Sequence, residues 1–414
     1  MEVRQAMRVE VPSTKQIDTD MQHSSAQHQH MHIAIFTNSV SIGGMEKHAE
    51  MLARDLDRSR ATVYTICPKW EPVEAWAKDF AAASDGTARI TPDRRYGLLA
   101  ELRETVRLYR QLRQWHIDVL HMHLTTYYGG QWALLAARLA RVPVIVCTEH
   151  LAPERPLSRP RKLQRDLVTR MYNRVICVSE KNRIAREQHL YTPPAHTSVV
   201  VNGIDVSRFT PTPPEEMARL REQYGIPADA RVAGTVVRFV DEKGLNYLFD
   251  AMPRVLESVP NAYLLMVGDG PLRGDLERQA TELGFRDRVI FAGFQSDPRP
   301  FMSLMHAFVL PVPFGSASIG LLEAMAMGRA VIITFGGKGE AVIDGETGLC
   351  PPPRDPAALA EAMTKVLVSP EYERQLGTNA RKRIEADFSA QRVAEQLLAI
   401  YEADYAASQR SRHG

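Results

Sequence analysis

Short apolar runs recur along this chain, and most neighbouring runs are separated by enough residues for one helix. They are His32–Thr37 (HIAIFT), Thr62–Ile66, Asp118–Met122, Val144–Cys147, Val175–Val178 and Ser198–Val201, then Ala230–Val237, Ala307–Leu310 and Ala330–Ile333. Runs this short, bounded by turn-forming residues, read as strands. Strands alternating with helical stretches leave a doubly wound parallel sheet as the expected α/β architecture, with ligand-facing loops at its carboxyl edge. The turn Asn202–Asp205 and the Pro-rich segment Thr210–Pro214 divide the runs into two groups. Residues 1–30 have no hydrophobic period and are expected to be a disordered extension. The expected domains are residues 31–205 and 206–388, followed by residues 389–414.

The stretch Ala307–Cys350 carries much of the chemistry. A Pro, Gly and Ser cluster follows its first strand, and a helix begins near Ile319. Leu321, Leu322, Ala324, Met325, Ala326 and Met327 leave that helix almost no polar face, so it should be buried on most sides with Glu323 as its one charge. A carboxylate there needs a partner. The vicinal hydroxyls of a ribose fit, while the free amides from Ser316 through Ser318 and Ile319 to Gly320 face phosphate. The next strand runs into Gly336, Gly337, Lys338, Gly339 and Glu340, where backbone can approach a ligand closely.

Other strand ends carry candidates as well. His32–Thr37 leads through Gly43 and Gly44 into a helix, without the full GxGxxG of a dinucleotide site. His121 and His123 close one strand, and Glu149 and His150 follow another. Arg238 ends a strand and Lys243 precedes a helix. Each alone reads as a surface charge, but a planar fork and a point charge together can hold one diphosphate. Two basic stretches stand out: Arg103, Arg107, Arg110 and Arg113 on one side of a predicted helix, and Arg155, Arg159, Arg161, Lys162 and Arg165. Such runs are ordinarily solvated faces, and the sharper reading is contact with anionic lipid headgroups or a lipid-diphosphate acceptor.

From about Met31 to Tyr405, these motifs in this order resemble family 4 glycosyltransferases. The family pattern has a Glu, seven residues, a second Glu opening an LLEAMA helix, a GGxxE loop and a DGxTG turn. Here Glu323 is the second Glu, Gly336–Glu340 the loop and Asp344–Gly348 the turn, while Gly315 stands where the first Glu would be. The resemblance implies the GT-B fold, two Rossmann-like domains facing across a cleft, with residues 389–414 forming a helix that crosses back to the first domain, and a tail. It implies a retaining glycosyltransferase needing no metal or other cofactor. The sugar would pass from a UDP-, GDP- or ADP-linked donor to a glycan or lipid-diphosphate acceptor, in bacterial cell-surface polysaccharide or glycolipid synthesis.

The resemblance also assigns residues. Gly43, Gly44, His123, Glu149 and His150 are expected on the acceptor side, with His150 hydrogen-bonding the transferred sugar or the acceptor. On the donor side, Arg238 and Lys243 hold the diphosphate and Glu323 the ribose. Gly268, Gly293, Phe294, Ser316, Ser318, Ile319, Gly320, Gly337 and Glu340 complete the donor side. His150, Arg238, Lys243 and Glu323 form the expected catalytic set. The first Glu helps hold the transferred sugar, so Gly315 keeps open a second reading, a non-catalytic subunit or scaffold. A third is another nucleotide-sugar enzyme on this fold, such as an epimerase.

Composition excludes several classes. With 51 basic and 49 acidic residues the formal charge is +2, too small to argue for a nucleic acid partner. No apolar run approaches the ~18 residues of a membrane span, and the first thirty residues lack the apolar core of a secretory signal. The expected location is the cytoplasm, with peripheral contact at the inner face of the membrane. Cys67, Cys147 and Cys177 lie in apolar runs and read as buried reduced thiols. His23, His28, His30 and His32 cluster near the start without a second ligand group, so no metal site is expected.

Overall fold

The computed structural model describes residues 30–91, 97–124, 130–150, 158–189, 196–313, 319–335 and 339–413. In the first domain, β1 (Met31–Thr37), β2 (Ala61–Pro68), β3 (Gly86–Ile90), β4 (Val119–Leu124), β5 (Val144–Glu149), β6 (Arg174–Cys177) and β7 (Thr197–Val199) form a parallel sheet in the order β3-β2-β1-β4-β5-β6-β7. In the second, β8 (Arg231–Val236), β9 (Ala262–Val267), β10 (Val289–Gly293), β11 (Ala307–Leu310) and β12 (Ala330–Ile333) form another in the order β10-β9-β8-β11-β12. Strand order reverses beside β1 in one sheet and beside β8 in the other. The carboxyl ends of β1 and β4, and of β8 and β11, therefore flank the crevices where open α/β sheets take ligands.

Helices on both faces explain why β1 is apolar almost throughout. Ile33 and Ile35 pack with Leu52 of the helix Gly44–Asp55 and with Leu397 of the helix Ala390–His413. Ala34 and Phe36 point the other way, to Leu108 of the helix Gly97–Gln114 and Leu134 of the helix Gln131–Leu139. Strand β3 was not readable as an apolar run, because GTARI buries only its last residue. It is an edge strand, tied to β2 by the hydroxyls of Thr65 and Thr87, 2.8 Å apart.

The last helix returns to the first domain. Val393, Leu397 and Tyr401, at i, i+4 and i+8, are all buried there. Pairs between Arg60 and Glu402 and between Arg174 and Asp404 hold its far end. It runs on to His413, and past Tyr405 it buries none of the described residues.

Both passes between the domains run side by side. The Ile204 amide donates to the Phe388 carbonyl at 2.9 Å, and the Ala390 amide donates to the Ile204 carbonyl at 2.9 Å. Gly203 makes this closeness possible, since a Cβ there would lie 2.9 Å from Val393 Cγ2. All four cysteines are buried, and none of them forms a disulfide. Among the described residues, no helix is long and apolar enough to cross a membrane.

Candidate active site

The wall from the second domain is built at the ends of β8 and β11. Arg238 is exposed just past β8, and Lys243 ends a short 3₁₀ turn, Asp241–Lys243. Gly244 closes that turn at φ 64°, and a Cβ on it would meet the Pro311 carbonyl at 2.3 Å, so glycine lets Lys243 settle over the end of β11. Burial lowers the Lys243 pKa, with nearby Glu242 opposing and Arg238 adding to the shift. The Gly268 turn supports Arg238 from behind. At φ 127° a Cβ there would lie 1.9 Å from the Val237 carbonyl, so the glycine is required by packing alone. Gly293 sits at φ 71° on an irregular edge of β10, and the Phe294 side chain beside it is 79% exposed.

Glu323 lies on the helix Ile319–Ala326, whose Leu321, Leu322, Ala324, Met325 and Ala326 are buried. Burial raises its pKa. Lys47 and Arg208 oppose the rise, Asp297 adds to it, and Arg299 opposes it again. Lys47 belongs to the first domain, so the carboxylate looks across the cleft. Glu323, Ile319, Lys47, His48, Arg208 and Arg299 line an interdomain cavity of about 420 Å³. Gly44 sits at the same closure, where a Cβ would meet Ile319 Cδ1 at 2.8 Å. Gly320 is half-buried beside Ile319. Gly315, Ser316, Ser318, Gly336, Gly337 and Lys338 lie outside the described residues, as do Arg155, His23 and His28.

The wall from the first domain holds four imidazoles. His121 and His123 stand on β4, His150 follows β5, and His48 comes from the helix Gly44–Asp55. His121 is bound at both nitrogens, with Nδ1 2.6 Å from Tyr401 Oη and Nε2 2.6 Å from Thr148 Oγ1. His123 Nδ1 lies 3.1 Å from His150 Nε2. The His48 ring packs 5.6 Å from that of His123 and 5.7 Å from that of His150. Burial lowers all four pKa values, His48 to about 4, His121 to about 3, and His123 and His150 well below the usual range. The cluster is therefore neutral at physiological pH. Among the described residues, no three His, Cys, Asp or Glu side chains are arranged to hold a metal ion.

Several expected site residues have other occupations. Glu149 is buried between the guanidinium groups of Arg165 and Arg186, so its carboxylate is not free for an acceptor. Arg165, counted from sequence in a basic surface stretch, is 2% exposed for the same reason. His123 is fully buried and stands behind His150 rather than in the cleft. The Gly43 amide donates to Glu46 Oε2 at 2.6 Å, closing a capping interaction, so it is not open to a ligand. Glu340 Oε1 accepts from the Glu180 amide at 2.5 Å, at the start of the first-domain helix Glu180–His189. His30 immediately precedes β1 and His32 lies in it, and His30 Nε2 is 2.8 Å from Thr62 Oγ1. Lys47 and His48 follow Gly43 and Gly44 in the first turns of the helix Gly44–Asp55, and both line the interdomain cavity. Arg208, Asp297 and Arg299 gave no signal in the sequence, because only tertiary folding brings them to Glu323.

Two parallel-sheet domains closing on a cleft, with Arg238, Lys243 and the half-buried carboxylate of Glu323 on one wall, define the GT-B architecture of nucleotide-sugar enzymes. Residues 42–208 match the family model Glycosyltransferase Family 4, and residues 216–383 match Glycosyl transferases group 1. The chain is 30% identical over 322 residues to the 2-deoxystreptamine glucosyltransferase of Streptomyces kanamyceticus, covering 74% of this chain and 81% of that protein. It is also 30% identical over 357 residues to the GDP-mannose-dependent alpha-(1-6)-phosphatidylinositol monomannoside mannosyltransferase of Mycolicibacterium smegmatis, covering 82% and 89%. Among solved structures, a glycosyltransferase from Rickettsia africae superposes with a TM-score of 0.79 at 17% identity, over 91% of this chain and 98% of that one. Anabaena HepE in complex with UDP and glucose superposes with a TM-score of 0.73 at 23% identity, over 90% and 100%. The chain belongs to the group 1 glycosyltransferases of the family 4 type.

Proposed function

We propose that this protein transfers a sugar from a nucleotide-sugar donor to a glycan or lipid-linked acceptor with retention of anomeric configuration, in cell-surface polysaccharide or glycolipid synthesis. The observation that carries this reading is Glu323, a half-buried carboxylate facing the first domain from the helix next to the Arg238 and Lys243 wall. Arg238 and Lys243 bind the diphosphate and stabilise the charge that builds on the leaving nucleotide. Because both are fixed cations, the reaction needs no metal, and full activity in excess chelator is the expected result. Glu323 takes the ribose hydroxyls. His150 hydrogen-bonds the sugar or acceptor, and domain closure excludes water.

Thermal unfolding with UDP, GDP and ADP, for wild type and Glu323→Ala, tests the donor site. A true donor nucleotide at ~100 times its dissociation constant adds ~2.7 kcal/mol, which the variant should lose. Stabilisation by none of the three would remove the enzyme reading and favour a non-catalytic subunit. NMR of the product's anomeric proton decides retention.

The helix Gly97–Gln114 supports peripheral membrane contact on the cytoplasmic face. Leu99, Leu102, Val106 and Tyr109 form an exposed stripe at helical spacing beside exposed Arg103, Arg107 and Arg110. The helix Arg159–Thr169 likewise exposes Leu163 and Leu167 beside Arg159 and Arg161. Sedimentation with liposomes at low salt should show preference for anionic over neutral lipid. Equal sedimentation with both would end the membrane reading.

A further inference from the structure

We propose that His123 is a positioning residue that fixes the tautomer in which His150 meets its ligand, making His150 a hydrogen-bond donor through Nδ1 and not a base. This rests on the assignment of His150 to the cleft made above. The register of the sheet creates the pair. His123 lies opposite Thr148 in the parallel β4–β5 ladder, and His150, two residues further, falls on the same face. His123 Nδ1 then lies 3.1 Å from His150 Nε2, with His123 fully buried and His150 partly exposed.

A neutral pair of this kind has two arrangements. In one, His150 Nε2–H donates to His123 Nδ1, which places the His123 proton on Nε2. Among the described residues that atom is buried and has no hydrogen-bond partner, so this arrangement strands an N–H in the interior. In the other, His123 Nδ1–H donates to His150 Nε2, and only a lone pair is left at His123 Nε2. Orphaned buried N–H groups are rarer in folded proteins than under-satisfied acceptors, so the second arrangement prevails. His121 cannot replace His123 in this role, because both its nitrogens are already engaged by Tyr401 and Thr148. With Nε2 accepting from His123, the His150 proton must sit on Nδ1. His150 therefore offers an N–H to an oxygen of the sugar or acceptor and has no lone pair there with which to take a proton from an attacking hydroxyl.

The test uses the full chain labelled with ¹⁵N-histidine, whose ring nitrogen shifts report tautomers without any assay of activity. His150 is expected as the Nδ1–H form, assigned by the loss of its signals in His150→Gln. His123→Asn, which keeps an N–H donor near the same place, should preserve that form and hold kcat within a few-fold. His123→Leu should shift His150 toward Nε2–H and lower kcat more than tenfold with donor KM unchanged. A wild-type His150 found as Nε2–H would overturn the proposal, and so would a His123→Leu protein that keeps both the Nδ1–H form and wild-type kcat. The tautomer is readable even if no donor is ever found, so failure here is separable from failure of the proposed function.

Discussion

Glu323 shows how one side chain can report its own role. Its folded pKa is raised by burial, which penalises the charged form. Burial of Glu323 therefore favours the fold below the unfolded-state pKa, and that contribution is lost as pH rises through the folded value. Ribose hydroxyls donating to the carboxylate would favour the charged form instead. Donor affinity should then be full above the raised pKa and fall as pH drops through it. Titration calorimetry at several pH values checks this, and Glu323→Gln should weaken binding and flatten the profile. Glu149 behaves differently. Glu149→Gln would remove the carboxylate that two buried guanidinium groups share, at a cost of about 3–5 kcal/mol in stability. Chemical denaturation would measure that loss, whereas a residue serving only the acceptor would leave the midpoint unchanged.

Elements place these residues. The sequence made the alternation of strand and helix legible because each run's apolar character and its flanking turn residues are local properties. Arg238, Lys243 and Glu323 were legible for the same reason, standing at strand ends or in first helical turns. Edge strand β3 escaped, since an edge that buries one residue has no need of an apolar pattern. The closing helix has its own anchor in the hydroxyl of Tyr401. Tyr401→Phe should cost about 1–3 kcal/mol by leaving His121 Nδ1 buried without a partner. Urea unfolding followed by circular dichroism would read it, and an unchanged midpoint would mean that the contact contributes nothing net.

Among the described residues the two domains are joined where Ile204 pairs with Phe388 and Ala390 and by side-chain contacts across the cleft, an arrangement suited to opening and closing around a donor. Glu340 accepting from the Glu180 amide is one such contact, placed at a helix N-terminus where a carboxylate is favoured. Glu340→Ala should loosen closure and increase the radius of gyration of the unliganded protein in small-angle scattering. An unchanged value would mean that Glu340 does not hold the domains together.

The sequence alone determined the two groups of β/α units, the order of the motifs and the residues at strand ends, because these depend on neighbours within a few positions. Only tertiary structure decided that Glu149 belongs to Arg186, 37 residues away, and that His121 is bound by Tyr401, 280 residues away. Only it gathered four histidines into one neutral cluster with His123 behind His150. Burial and register set those pairings, and both arise only when distant segments share one sheet face.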